Sequence, residues 1–308
     1  RRSKLDSGEF IFRGLCNSKE LQTFLVLPFS IFYLMTVMGN FLVRLLIMTD
    51  PHLHSPIYFL LANFSFVDFC LSIVTTPKLM TDCQKDKTIS FGSCMNQILC
   101  EHLFAGSEMV LLVTMAYDCY VTICKPLHYS SIVDRKKCIW LVLISWILCF
   151  VHAMGQLAMM LDLPFCGPKV VDSFSCDIPL VIKLVCSTHT LQILINADSS
   201  ILATTCFFLL LASYTYILLT VHLHSKDRMP KALSICTSHI TVVVLFFVPC
   251  VFTYLWPLSI TWVDKFLTVL YTVITPLLNP AIYTLRNKEI QNSTNHYFPV
   301  HLRSHHRF

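Results

Sequence analysis

Four carboxylic acids, Asp68, Glu101, Glu108 and Asp198, lie inside runs of otherwise apolar sequence. A charged side chain at mid-bilayer costs about 2.5 to 3.5 kcal/mol, so each should face the interior of a helix bundle and has a functional reading by default. His102 adjoins Glu101, which gives that segment a second titratable group. Such groups can hold a small ion, anchor a polar ligand or glue helices together through a static network. No His-Glu-x-x-His, Gly-x-Ser-x-Gly or phosphate-binding loop occurs, so nothing in the chain points to catalysis.

The elements that must position these acids are set by hydropathy. Hydrophobic residues make up 55% of the 308 positions and charged residues only 13%, far from soluble averages. A helix needs about 20 mostly apolar residues to cross the hydrocarbon. Seven stretches qualify, near 24 to 48, 57 to 76, 98 to 117, 139 to 161, 200 to 221, 232 to 255 and 266 to 285. The expected fold is an all-α membrane protein, one seven-helix bundle over 24 to 290, with an N-terminal tail at 1 to 23 and a C-terminal tail at 291 to 308. An odd number of spans puts the termini on opposite sides. Lys and Arg are nearly balanced between the two faces, but the cluster Arg135-Lys136-Lys137 abuts a helix end, which favours an extracellular N-terminus and a cytoplasmic C-terminus. No signal peptide precedes the first span, so that span is expected to direct insertion. The natural partner is the lipid bilayer, in a multi-pass plasma membrane setting, and nucleic acid is not expected.

Of fifteen cysteines, Cys94 lies just before the third span, and Cys166, Cys176 and Cys186 punctuate the long loop between spans four and five. On an oxidising face these four allow three pairings, among which sequence alone does not choose. The remaining eleven read as small buried hydrophobes. No Cys-x-x-Cys spacing among these cysteines supports a metal site.

Five blocks in order carry a family resemblance. They are Gly39-Asn40 in span one; Leu53-His54-Ser55-Pro56-Ile57-Tyr58-Phe59-Leu60 continuing to Asp68; Met115-Ala116-Tyr117-Asp118-Cys119-Tyr120 continuing to Tyr129; Ser213-Tyr214 with Lys231-Ala232-Leu233-Ser234-Ile235-Cys236-Thr237-Ser238-His239; and Pro276-Leu277-Leu278-Asn279-Pro280-Ala281-Ile282-Tyr283. Together they span about 250 residues and resemble the vertebrate olfactory receptors, rhodopsin-like G-protein-coupled receptors. That resemblance implies disulfides Cys94 to Cys176 and Cys166 to Cys186. It implies a small, mostly apolar odorant bound among the spans by Glu101, His102, Ala105, Gly106, Asp198, Leu202, Phe247, Val251, Tyr254 and Thr272. It implies a polar core of Asn40, Asp68, Glu108 and Asn279 that would hold water or a sodium ion. No other cofactor is implied. Two acids and a histidine near one cavity point to an amine or hydroxyl-bearing ligand.

Output in this family runs to a stimulatory G protein through Asp118, Tyr120, Tyr214, His239 and the Asn279-Pro280 hinge with Tyr283. The family's Asp-Arg-Tyr triplet reads Asp118-Cys119-Tyr120 here. A thiol has neither the fixed charge nor the five donors of a guanidinium, so coupling is expected to be impaired, with Asp118 left without its neighbour and Tyr214 and His239 without a partner. Further departures are Asp6-Ser7-Gly8 where a glycosylation sequon is usual, Arg44 in an apolar part of span one, and a tail after Ile290 whose pattern fits no helix face. A non-signalling receptor relic is the closest alternative. A membrane carrier is a more distant one, since neither an inverted repeat nor paired Gly-interrupted spans occur among only seven glycines.

Overall fold

The computed structural model describes residues 9–15, 18–84, 88–166, 169–186, 189–224, 229–255 and 261–297. Asp6-Ser7-Gly8 and the tail beyond Tyr297 lie outside them.

Eleven α-helices are described. Six are long: α1 (Lys19–Thr49), α2 (Pro56–Gln84), α3 (Phe91–Cys124), α5 (Arg135–Leu161), α7 (His189–His224) and α8 (Met229–Leu255). The short α4 (Tyr129–Ile132) connects α3 to α5, and α6 (Ile178–Val181) sits in the loop before α7. The sixth span is α8 (Met229–Leu255). The seventh is composite: α9 (Thr261–Val269), a π-helical turn over Leu270–Ile274 and α10 (Thr275–Arg286). Six described segments are long and apolar enough to cross a membrane, and α8 adds the shorter apolar stretch His239–Thr253. The helices outrun the apolar stretches read from sequence, most of all α3 and α7, because a helix can continue past the hydrocarbon until a polar cap ends it. Ser90 accepts from the Ser93 N–H at 3.2 Å to start α3, and Asp134 accepts from the Lys137 N–H at 2.7 Å to start α5.

The bundle is apolar outside as well as inside. Phe24, Leu27, Ile31, Leu34 and Met38 form an exposed stripe on α1, and Trp140, Ile144, Ile147 and Val151 form another on α5, as lipid-facing helices require. Inside, α3 packs against α2, α5, α7 and α8, and α1 against α2 and α10. Gly39 lets α1 approach α10 closely, since a Cβ there would stand 3.4 Å from the Pro280 Cβ.

The N-terminal tail is not a free strand. β1 (Glu9–Phe12) pairs antiparallel with β2 (Thr88–Ser90) and parallel with β3 (Val170–Val171), in the order β2-β1-β3. Gly14 leaves this strand at φ 77°, a left-handed conformation that favours glycine. Phe10 and Phe12 bury beneath the sheet with Met95, Ile98, Val171 and Ile178. Cys94 and Cys176 form a disulfide with Cα atoms 5.5 Å apart, and Cys166 and Cys186 form a second at 5.7 Å.

The tail after Arg286 corrects the sequence expectation: Lys288–Tyr297 forms α11. Asn287 Oδ1 accepts from the Glu289 and Ile290 N–H groups at 3.0 and 3.2 Å, and Tyr58 donates to Glu289 at 2.6 Å. Ile290 and Ser293, three positions apart, are buried. The inward face is built from one isoleucine and short polar side chains, which a hydrophobic pattern does not register.

Candidate functional site

A cavity of about 40 Å³ lies between α2, α3, α5, α7, α8 and the π-helical turn. Glu101, His102, Ala105 and Gly106 reach it from α3, Leu202 from α7 and Thr272 from the π-helical turn. Glu101 Oε1 is buried with no hydrogen-bond partner among the described residues. His102 Nδ1 lies 3.0 Å from the Ile98 carbonyl. Gly106 is needed for space, since a Cβ there would stand 3.3 Å from Leu202 Cδ2 and 3.4 Å from Cys149 Sγ. The turn widens the seventh helix by one residue, so the Thr275 N–H donates to the Leu270 carbonyl, and Thr275 Oγ1 donates to the same oxygen at 3.0 Å. Tyr271 and Thr272 line the cavity from this turn.

The other sequence-derived residues sit elsewhere. Asp198 lies at the α5–α7 contact, 3.9 Å from His152 Nε2, and accepts from Gln156 Nε2 at 3.3 Å. It reaches the cavity only through His152, which lines it. Phe247 is fully buried against Phe207 and Phe246, and Val251 is half-buried away from the lining; Cys250 is the α8 residue that reaches the space. Projecting a face along α8 assumes an unbroken ladder of backbone bonds, and Pro249, inside the helix, lacks the N–H for one of them. The Tyr254 side chain lies outside the described residues. His152 was legible by the rule applied to the acids, being an ionisable residue in an apolar span. Leu71, Met109, Ala203 and Tyr271 carry no such mark.

The roof is built by the loop after α5. Asp177 accepts from the Tyr271 hydroxyl at 3.2 Å and from the Ile178 N–H at 2.7 Å. The neighbouring Cys176 is tied to α3 by its disulfide and by its N–H, which donates to Gln97 Oε1 at 3.1 Å. The loop, the third helix and the cavity wall are therefore one connected structure.

Deeper in the bundle, Asn279 Nδ2 donates to both Asp68 oxygens at 3.1 and 3.0 Å. The Glu108 carboxyl lies within reach of Asp68, yet neither Glu108 oxygen has a donor among the described residues. Two fully buried carboxyl groups beside an unpartnered amide oxygen, Asn279 Oδ1, require a proton or a hard cation between them. Asn40 belongs to a separate bond. Pro280 has no N–H to give the Pro276 carbonyl, and Asn40 Nδ2 supplies the missing donor at 3.0 Å.

At the far end of α3, Cys119 is 3% exposed and packs in the core with Tyr214, Cys236 and Tyr283. The Tyr214 hydroxyl, the Tyr283 hydroxyl and His239 Nδ1 are buried with no hydrogen-bond partner among the described residues. The His239 and Tyr283 rings lie 5.5 Å apart. Tyr120 stacks edge-on with Tyr216 at 5.6 Å. Asp118 departs from expectation. It is not left alone, because the Tyr129 hydroxyl donates to it at 2.9 Å. Burial and the Asp118 charge push the Tyr129 phenol above its ordinary range, which keeps it a donor.

The family model described as olfactory receptor matches residues 29–300. Human olfactory receptor 4K15 is 55% identical over 285 residues, covering 92% of this chain and 88% of that protein. Human olfactory receptor 4K3 is 53% identical over 287 residues, covering 92% and 91%. Squid rhodopsin superposes with a TM-score of 0.74 at 16% identity, over 92% of this chain and 86% of that one, a likeness of fold. By sequence over nearly its whole length, and by its bundle of apolar helices, the chain belongs to the olfactory receptor family of G-protein-coupled receptors, multi-pass plasma membrane proteins that signal and are not enzymes.

Proposed function

We propose that the chain detects a small, mostly apolar odorant bearing an amine or hydroxyl group in the cavity beside Glu101, and that its output to a stimulatory G protein is weakened by Cys119. The observation that carries the first half is the unpartnered Glu101 Oε1 in a space whose lining is mostly apolar, with Ala105, Gly106, Met109, Leu202 and Ala203, and includes His102, His152, Tyr271 and Thr272. A ligand donor at that oxygen would satisfy a buried acceptor. About 40 Å³ has room for only about three waters, so a ligand must displace side chains such as Met109 and Leu202. The second half rests on Tyr214, His239 and Tyr283, whose polar atoms surround Cys119's packing cluster without partners.

The disulfide-bonded end of the bundle, with β1, faces the extracellular side in this reading, because disulfides persist on an oxidising face. The Cys119 end faces the cytoplasm. Asp68 and Glu108 would hold a sodium ion, with Asn279 completing an all-oxygen site, and Asn279-Pro280 would act as the hinge that couples the two ends. Aligned with the expected ligand set, Asp198 acts on the cavity through His152.

The test is Glu101→Gln in a Cys119→Arg background, read as cyclic-AMP responses to a panel of amines, alcohols, acids and hydrocarbons with surface delivery matched. Loss of a charge-assisted hydrogen bond of about 1.5 to 3 kcal/mol raises the half-maximal concentration for amines by about 10- to 150-fold and leaves hydrocarbons in place. Responses confined to carboxylic acids would defeat the proposal.

A further inference from the structure

We propose that the cavity between the Thr49 end of α1, the start of α2 and the start of α5 binds the phosphate of an anionic phospholipid. The cavity measures about 270 Å³. Arg44, His54 and Arg135 bring cationic or protonatable groups to it, and among the described residues no Asp or Glu lines it. Asn63 adds one uncharged polar side chain, and the remainder of its wall is apolar, with Ile47, Met48, Leu53, Phe59 and Ala62. A positive rim above an apolar floor is what a headgroup phosphate with attached acyl chains requires.

Arg44 is the residue that lacks another explanation. It stands five residues before the end of α1, about 7.5 Å along the axis, in a span that carries no other charge over 24 to 48. Its guanidinium covers the Phe66 ring at 4.5 Å and gives one bond, at 3.4 Å, to the Ala62 carbonyl. A guanidinium has five donors, so this arrangement leaves several for an oxyanion. Arg135 is exposed at the first turn of α5, and the adjacent Asp134 is turned away from it to cap the Lys137 N–H at 2.7 Å. The two arginines come from sequence positions 91 residues apart (135 − 44) and meet at one space. The orientation proposed above decides only which leaflet supplies the lipid; binding itself can be measured in solution.

The experiment is native mass spectrometry of the full chain in detergent, with phosphatidylinositol 4-phosphate and phosphatidylcholine of identical acyl chains offered together. The expected result is one retained phosphatidylinositol 4-phosphate over phosphatidylcholine. Arg44→Leu and Arg135→Gln should each lower that retention about fivefold, which corresponds to one lost basic contact. Arg135 is exposed, so Arg135→Gln remains a valid test if Arg44→Leu fails to fold. Equal retention of both lipids, or unchanged retention in Arg135→Gln, would overturn the proposal. Displacement by millimolar inorganic phosphate alone would assign the site to a soluble anion and overturn the lipid assignment as well.

Discussion

Adding a side chain at Gly106 should close the proposed odorant cavity from within. A Cβ at this position would stand 3.3 Å from Leu202 Cδ2 and 3.4 Å from Cys149 Sγ, so even alanine makes both neighbours give by a few tenths of an ångström. Valine adds two more carbons, and with Cys149 in the wall and about 40 Å³ open, the remaining direction is into the cavity. Overpacking of this kind costs about 1 to 3 kcal/mol. If the ligand must bear that cost, the half-maximal concentration rises by about 5- to 150-fold. Gly155 on α5 is the matched control, because a Cβ there meets nothing within 4 Å. The assay is the cyclic-AMP response to an odorant panel for Gly106→Ala, Gly106→Val and Gly155→Val, each in the Cys119→Arg background with surface delivery measured. The expected order of sensitivity is Gly155→Val, then Gly106→Ala, then Gly106→Val. Unchanged sensitivity of Gly106→Val to every active odorant would refute the location of the site.

Two further changes bear on stability. Cys94→Ser opens a loop of 82 residues, for which the chain-entropy relation gives about 4.5 kcal/mol; thermal unfolding in detergent should fall well below that of the unmodified chain, and equal melting would contradict it. Asp50 ends α1 and accepts from the His52 N–H at 2.9 Å, which holds its carboxyl below the ordinary carboxylate value. A lowered folded value means stability present above the ordinary value and lost as pH falls through the folded one. Asp50→Asn should therefore melt with a shallower acid dependence, and an unchanged dependence would remove this role.

Most of the fold was legible because the bilayer imposes a length and a polarity on each span, and the motif blocks are long. Pro280 was expected to interrupt its helix, but α10 runs through it, with the one lost backbone bond at the Pro276 carbonyl supplied by Asn40. The disulfides required the family resemblance, since three pairings were open. What the sequence hid depends on close packing between distant segments. β1 pairs with β2 and β3 by backbone bonds that need no particular side chain. α11 docks through Ile290 and Ser293, too few apolar residues to register. The π-helical turn that carries Tyr271 and Thr272 inserts one residue without a glycine or proline at its centre. Asp198 lay on the expected helix but on a face turned to α5, because His152 and Gln156 offered it polar partners there.

On the function proposed above, this chain keeps the binding architecture of its family with a weakened output step at Cys119. The direct measurement is nucleotide exchange on a purified stimulatory G protein by the unmodified chain and by Cys119→Arg, both in nanodiscs with the same activating odorant. A guanidinium beside Asp118 gives Tyr214 and its neighbours a charged donor, worth about 1.5 to 3 kcal/mol for one such bond, or about 10- to 150-fold in coupling. Odorant-driven exchange should stay near basal for the unmodified chain and be that much faster for Cys119→Arg. Equal, full exchange from both proteins would contradict it.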